Sequence, residues 1–553
     1  MNFQTSIRFF ALICVVLLIG LIATRLNHIY YSVNAPFYDS SSYYNTLAKV
    51  VNDVKKNGVT EALKIQSNST VFLPWVVGGV IGLCIPLSRD IGVWCQIIWL
   101  MTYALSIFYY LIKCRKLDSK LAATFVLPFL SLHAFYFFNG GLSDFRMDLH
   151  LYLLLSTAAV WYLVTLHTDR WYPWCLMGLF LGLSCLSRTT TPIYAVLMFG
   201  PLIAWRLLTG PKKIDLLLKC VITGLVVALI AGWFFFGHYD YLHYYYLVWN
   251  VDANARLPLA QSIRHIHFAI GSIGAPVLIF ALFAFGVRYF NTPSTGDWPA
   301  RLRSLHWEAL YLGLAPVLFL VFRGAGLNPF VSMPGAFGLC LFILFPFKKN
   351  EDSWPALKQE TIFGAALLTL FFSITLSLES HLLGSRNNLM AAHRKVIDLM
   401  QGDSAQQGKT KITFTTAFSY YLNTESIWNC LIYEYDFEPQ KNRLRQRKNS
   451  ISKGRREYEA AVPVEWNDLQ GESSEEKLDE LVEDARKNID YLILPTDLTL
   501  GFLETKVSHN YINQFSRAFK TKVLATGLWE PLGEPVVNST KEVVQIYRKI
   551  PHL

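Results

Sequence analysis

From residue 7 to residue 378 the chain returns again and again to apolar runs long enough to cross a lipid bilayer, and no other feature limits its fold so tightly. In hydrocarbon every backbone N–H and C=O must find its partner inside the protein, so runs of this kind become helices. With 53% hydrophobic and only 16% charged residues, the composition excludes an ordinary soluble domain over this stretch. Near Ser380 the pattern changes: charged residues become frequent and the apolar runs shrink to strand length. The expected organisation is a transmembrane domain over residues 1–379 and a soluble domain over residues 380–553. The first segment, residues 6–23, has Arg8 in front and no small-residue cleavage site behind, so it reads as a retained anchor and not a removed signal peptide.

Basic residues orient the spans. The run at 91–112 ends in Lys113, Arg115 and Lys116, with Lys120 close by, and the positive-inside rule places that cluster in the cytoplasm. The stretch 71–87 is apolar but broken by Pro74, Gly78, Gly79, Gly82 and Pro86; with a cytoplasmic N-terminus it cannot cross, so it reads as juxtamembrane or re-entrant on the outer side. Further crossings are expected at about 121–138, 149–166, 174–186, 192–208, 216–236, 267–285, 307–322, 330–347 and 361–378, about eleven in all. The alternating loops then carry Lys212, Lys213 and Lys219, Arg288, Arg301 and Arg303, and Lys348, Lys349 and Lys358 on the cytoplasmic side. An odd number of crossings sends the tail to the outer face. The net charge of +10, much of it spread through short loops, is topological and no nucleic-acid signature.

In the tail, strands are expected at 411–416, 491–494, 522–525 and 543–547, with a helix opening at Ser473-Ser474-Glu475-Glu476 and running to Arg486. That alternation predicts a small α/β domain. The basic run 441–456 reads as a solvated loop. Of nine cysteines only Cys430 belongs to the tail, and no Cys/His spacing suggests zinc.

Four outer-face loops hold polar residues in a chain that otherwise avoids them, and function is to be sought there. Residues 35–44 follow the first span with Asp39 and Tyr43, leading into an amphipathic helix with Tyr43, Leu47, Val50 and Val54 on one face. Residues 139–148 contain Asp144, Arg146 and Asp148; residues 187–192 contain Arg188 and four hydroxyls. Residues 237–266 contain Tyr244, Tyr245, Tyr246, Trp249, Arg256 and Arg264. Each residue has a plainer role available: Asp39 and Asp148 as helix caps, Arg188 snorkelling to headgroups, the aromatics as an interfacial belt. Together they suit a sugar carried on a lipid phosphate, since arginine grips phosphate, aromatic faces cover a ring and a carboxylate activates a hydroxyl.

In these loops the chain resembles the GT-C superfamily of polyprenyl-phosphate-dependent glycosyltransferases, in particular the branch of protein O-mannosyltransferases and bacterial aminoarabinose transferases. Asp39, Ser40 and Tyr43 match an acidic Asp-Glu-x-x-Tyr motif, with Ser40 in place of glutamate. The stretch Asp144 to Asp148 is similar to the second acidic site. Gly178, Gly182, Leu183, Leu186 and Arg188 match a Gly-x-x-x-Gly-Leu-x-x-Leu-[Lys/Arg] segment, and residues 239–256 resemble an aromatic outer loop ending in arginine. The basic residue often found before the re-entrant segment is absent. The resemblance implies a polytopic α-helical GT-C-like enzyme in a bacterial inner membrane (the endoplasmic reticulum membrane in a eukaryote), its C-terminal α/β domain in the periplasm or lumen. Its catalytic residues would be Asp39 and Asp148. Tyr43, Asp144, Arg146, Arg188, Tyr245, Arg256 and Arg264 would bind substrate. The implied partners are a polyprenyl-phosphate-linked sugar donor, a glycan, lipid or protein hydroxyl acceptor, and membrane lipids, with no nucleic acid. Asp144 and Asp148 supply hard oxygens suited to a divalent cation, but no ligand cage is evident and no cofactor is assigned. A transporter or flippase of lipid-linked glycans, a glycan polymerase or ligase, and a sensor with an outer ligand-binding domain are the competing readings.

Overall fold

A computed structural model of the chain describes residues 3–32, 34, 39–64, 73–136, 140–243 and 307–323, the single positions 260, 375 and 378, and, towards the C-terminus, 389–409, 411–416, 424–434, 438–439, 448–453, 456–461, 474–496, 510–537 and 543–550. Up to residue 243 its described helices in order are α1 (Phe3–Tyr31), α2 (Asp39–Asn57), α3 (Leu73–Cys84), α4 (Asp90–Lys113), α5 (Ser119–Leu130), α6 (His133–Tyr136), α7 (Met147–Thr165), α8 (Tyr172–Cys185), α9 (Thr191–Thr209), α10 (Lys213–Val227), α11 (Trp233–Gly237) and α12 (Tyr239–His243), and beyond it come Trp307–Arg323, Leu389–Gln406, Thr424–Glu434, Ser474–Asn488 and Asn510–Ala525. A π turn, Ala228–Gly232, joins α10 to α11. Five described segments are long and apolar enough to cross a membrane: Gln4–Tyr31, Asp90–Lys113, Met147–Thr165, Thr191–Thr209 and Lys213–Gly237. The expected crossings at 267–285, 330–347 and 361–378 lie outside the described residues, apart from the two helical positions 375 and 378. The one expected at 121–138 is broken: α5 ends at Leu130, whose carbonyl accepts the Tyr136 hydroxyl at 2.7 Å. Helix α3, with 12 residues, rises about 18 Å, well short of a ~30 Å hydrocarbon core.

Packing divides the chain into two compact units that are not consecutive in sequence. The first joins Met1–Asn27, Leu63–Val77 and Gly92–His381; the second joins His28–Ala62, Gly78–Ile91 and Leu382–Leu553. At the heart of the first is α7, in which every residue but Trp161 is buried. A helix enclosed all round must be apolar on every face, as Leu149, Leu151, Leu153, Leu154 and Leu155 show. Helix α8 packs on it through Ser184, whose Oγ donates to the Leu151 carbonyl at 3.1 Å. The other side of α8 meets α10 and the π turn across Gly178 and Gly182. A Cβ at Gly178 would stand 2.8 Å from the Thr223 carbonyl oxygen, and one at Gly182 would stand 2.8 Å from Ile230 Cβ. The two glycines four residues apart let these backbones approach as close as they do.

In the second unit the described residues between 411 and 549 contribute eight strands: β1 (Lys411–Thr416), β2 (Glu438–Pro439), β3 (Lys448–Lys453), β4 (Arg456–Ala461), β5 (Tyr491–Pro495), β6 (Trp529–Pro531), β7 (Val536–Val537) and β8 (Val543–Lys549). They form one sheet ordered β2-β3-β4-β1-β5-β8-β6, with β7 also on β8. Strand β1 runs parallel to β4 and β5, and the remaining pairs are antiparallel. Strands β1 and β5 are buried almost throughout, as central strands covered on both faces must be. Two expectations are corrected. Residues 522–525 end the helix Asn510–Ala525 and form no strand, because Phe519 and Val523 recur at helical spacing and both are buried. The basic run 441–456 is not loop throughout: Lys448–Lys453 pairs with β4.

Helix α2 belongs to this unit. Its buried stripe is Tyr44, Leu47, Ala48, Val50, Val51 and Val54, so Tyr44 rather than Tyr43 faces the core. Val51 and Val54 sit over Gly82 and Gly79 of α3, where a Cβ would come within 2.6 and 2.9 Å of their methyl groups. On another side the helix Thr424–Glu434 donates from Asn429 Nδ2 to Asn45 Oδ1 at 3.0 Å and from the Tyr433 hydroxyl to the Tyr44 carbonyl at 2.8 Å. Arg89 completes the cluster: its guanidinium stands 5.1 and 4.9 Å from the ring centres of Tyr31 and Tyr433 and donates to Asn429 Oδ1 at 2.9 Å. Burial, partly offset by Arg89, pushes the Tyr433 phenol above its usual range, so this hydroxyl remains a donor.

Candidate active site

The first unit brings four of the expected site residues into two ion pairs. Arg146 Nε lies 3.0 Å from Asp144 Oδ2, and Arg188 Nε lies 3.0 Å from Asp148 Oδ1. The loop that carries three of them is fixed by its backbone. Gly140 adopts φ +86°, a left-handed conformation that a side chain disfavours, and this aims its N–H at Asp144 Oδ2, 2.8 Å away. The Leu142 N–H donates to the Phe135 carbonyl at 2.7 Å. From other helices Asn27 Nδ2 donates to the Ser143 carbonyl at 2.6 Å and Gln96 Nε2 to the Asp144 carbonyl at 2.7 Å. Phe145 meets Trp75 and His150 edge to face, with ring centres 5.8 and 5.7 Å apart. Extended backbone at Arg146, φ −128° and ψ 143°, then turns the chain into α7.

Asp148 thus falls in the first turn of α7, where the positive end of the helix dipole favours a carboxylate. Arg188 reaches it from the turn between α8 and α9. That turn is held by the Thr191 hydroxyl, which donates to the Ser184 and Arg188 carbonyls at 2.9 and 2.8 Å, and by the Leu73 N–H, which donates to the Leu186 carbonyl at 3.2 Å. One turn into each helix, the rings of Tyr152 and Tyr194 meet edge to face with centres 6.3 Å apart.

Exposure separates the two pairs. Asp144 and Arg146 keep 2% and 4% of their side-chain surface, so each neutralises the other inside the protein. In the second pair Asp148 keeps 6% while Arg188 keeps 26%: the guanidinium can meet a ligand and the carboxylate is sheltered behind it. Asp39 opens helix α2 in the second unit, with the half-buried Tyr43 one turn later. The expected ligands Tyr245, Arg256 and Arg264 lie outside the described residues. Among the described residues no group of three or more His, Cys, Asp and Glu side chains could hold a metal ion. Asn27 and Gln96, which hold the acidic loop from a distance, were not singled out in the sequence, since nothing local marks an amide that will meet a carbonyl 116 or 48 residues away. Gly140 had a local signal, the Gly140-Gly141 pair inside a polar loop.

Several solved structures share this fold over most of the chain. In particular the chain is similar to ArnT from Cupriavidus metallidurans, with 10% identity over 97% of both chains, at a TM-score of 0.58 for the apo state and 0.59 for the form bound to undecaprenyl phosphate. It is also similar to the Archaeoglobus fulgidus oligosaccharyltransferase tethered to an acceptor peptide, with 11% identity over 92% of this chain and 72% of that one and a TM-score of 0.51. No protein-family model matches the chain, and no curated protein matches it in sequence.

Proposed function

We propose that this chain is an integral membrane, inverting glycosyltransferase that moves a sugar from a polyprenyl-phosphate donor to a hydroxyl acceptor at the outer face. The observation that carries the reading is the Arg188–Asp148 pair at the mouths of α7 and α9, within a fold shared over nearly the whole chain with a structure bound to undecaprenyl phosphate. Arg188, partly exposed and oriented by Asp148, binds the donor phosphate, and Arg256 joins it from the 237–266 loop with Tyr245 and Arg264 beside the sugar. Asp39 is the general base. It takes the proton of the acceptor hydroxyl as that oxygen bonds to the anomeric carbon; the bond from that carbon to the phosphate oxygen breaks on the opposite face, and polyprenyl phosphate leaves with the electron pair. One displacement inverts the centre and needs no covalent intermediate. The arginines stabilise the charge that gathers on the departing phosphate where water is scarce.

Asp148 acts through Arg188 as a positioning residue, because an enclosed carboxylate already spent on an ion pair is ill placed to meet a hydroxyl. Asp144 and Arg146 act one step further back, holding the loop from which α7 starts. The segment from residue 380 onward is a soluble outer-face domain whose Thr424–Glu434 helix holds α2, and hence the backbone of Asp39, in place. The reading is tested by incubating the purified protein with a panel of radiolabelled polyprenyl-phosphate sugars and separating products by thin-layer chromatography. Release of polyprenyl phosphate with the label on an acceptor supports it; bidirectional movement of intact donor across proteoliposomes, with no transfer, replaces it with the transporter reading.

A further inference from the structure

At the other end of α7 and α9 the first unit contains a cavity of about 490 Å³. Thr165, which closes α7, lines it, 17 residues and thus about 26 Å along the helix from Asp148. Its wall carries three basic side chains, Arg206, Lys212 and Lys219, and three acidic ones, Asp169, Asp215 and Glu308. Four of the six pair off: Lys212 Nζ with Asp169 Oδ2 at 3.0 Å on the exposed rim, and Lys219 Nζ with Asp215 Oδ2 at 2.6 Å further in. Arg206 is different. Its guanidinium stands 5.3 and 5.8 Å from the ring centres of Trp174 and Tyr162 and donates from Nη1 to the Thr165 hydroxyl at 3.0 Å, and no carboxylate among the described residues forms an ion pair with it. His167, also on the wall, is held down at about 4, first by burial and second by Arg115, and is uncharged at neutral pH.

A guanidinium held against aromatic faces on the wall of a partly enclosed space has the chemistry of a phosphate site. Equal numbers of basic and acidic groups around it disfavour a purely anionic ligand and favour one with an ammonium group near its phosphate. We infer that this cavity binds the zwitterionic headgroup of an ethanolamine phospholipid, its phosphate on Arg206 and its ammonium towards the carboxylates of Asp169 and Asp215. The membrane supplies the ligand because α7, α9 and α10, whose ends make the cavity, are among the segments read as spanning, which brings their termini to the headgroup layer. A phosphoethanolamine group free in solution has the same chemistry and lacks the acyl chains. The site is separate from the transfer chemistry, and its test does not depend on that proposal.

The test is native mass spectrometry of the full-length protein released from micelles, titrated with dioleoyl phosphatidylethanolamine, dioleoyl phosphatidylglycerol and glycerophosphoethanolamine. Arg206→Gln removes the phosphate contact, Thr209→Trp fills the cavity without changing charge, and Arg170→Gln, outside the cavity wall, is the control. The expected result is one tightly retained ethanolamine lipid, weakened about tenfold by either cavity variant and unchanged by the control. The soluble headgroup should compete only weakly. If Arg206→Gln does not fold, Thr209→Trp carries the test alone. Equal or tighter retention of phosphatidylglycerol overturns the zwitterion, equal binding of glycerophosphoethanolamine overturns the lipid, and unchanged retention in the cavity variants overturns the site.

Discussion

Replacing Arg146 by Met distinguishes a structural ion pair from a substrate ligand, the role the sequence alone suggested for Asp144 and Arg146. The two side chains are 2% and 4% exposed with Nε and Oδ2 3.0 Å apart, so Arg146→Met strips the counter-charge from a carboxylate that water cannot reach. Removing one partner of such a pair costs on the order of 3–5 kcal/mol. The double variant Arg146→Met/Asp144→Asn removes both charges and leaves an amide oxygen to accept the Gly140 N–H, so it should recover about half of that loss or more, a coupling of up to ~3 kcal/mol. Equilibrium unfolding in mixed micelles, followed by tryptophan fluorescence, measures both, and Trp75 against Phe145 lies beside the loop. Binding of polyprenyl phosphate is measured in parallel. A single variant as stable as wild type that has lost donor affinity would refute the argument and return Arg146 to the substrate.

Three further expectations follow from separate parts of the molecule. Gly182→Leu forces side-chain atoms onto Ile230 of the π turn and should cost ~1–3 kcal/mol, whereas Gly224→Ala, where a Cβ meets nothing within 4 Å, should be neutral or gain up to ~1 kcal/mol; thermal unfolding of the two variants compares them. Arg188→Gln should weaken donor binding about tenfold or more and also lower the unfolding midpoint, since it strips the counter-charge from the sheltered Asp148; Arg256→Glu should weaken donor binding about as much with the midpoint nearly unchanged, and unaltered affinity there would remove Arg256 from the site. Single cysteines at positions 116, 213 and 349 should be labelled only from the cytoplasmic side and those at 39 and 256 only from outside, in a cysteine-free background; positions 39 and 116 on one side would break the topology.

Part of the apolar helical pattern was legible because helices in lipid must be apolar and continuous: α4, α7 and α9 stand within a few residues of expected spans, the segment Lys213–Gly237 covers the one expected at 216–236, and α1 runs eight residues beyond its expected end. Gly178 and Gly182 were also readable, since only small residues permit the close approach of α8 to the π turn. Strands β1, β5 and β8 were visible as short, β-branched apolar runs. The run Lys522–Ala525 has the same composition, yet it completes an amphipathic helix whose period shows only over its full 16 residues. The expected stripe on α2 erred by one residue at Tyr43 and Tyr44, because adjacent tyrosines give no periodic preference until the packing partner, here Tyr433, is known. Least legible was the pairing of charges. Asp144, Arg146, Asp148 and Arg188 were all candidates, but which carboxylate would be sealed against which arginine depends on Asn27 and Gln96, amides far away in the chain with nothing local to mark them.

The reaction itself is tested most directly by Asp39→Asn, assayed for both transfer and donor binding. Asparagine caps a helix about as well as aspartate, so a capping role leaves turnover near wild type. An amide cannot accept the acceptor's proton, and general-base assistance is worth on the order of 10² to 10⁴ in rate. Expected are a loss of transfer of that size in Asp39→Asn with donor affinity and unfolding unchanged, and a smaller loss in Asp148→Asn accompanied by weaker donor binding through a displaced Arg188. Turnover near wild type in Asp39→Asn, or loss of transfer in Asp148→Asn with donor binding intact, would contradict the assignment of the base.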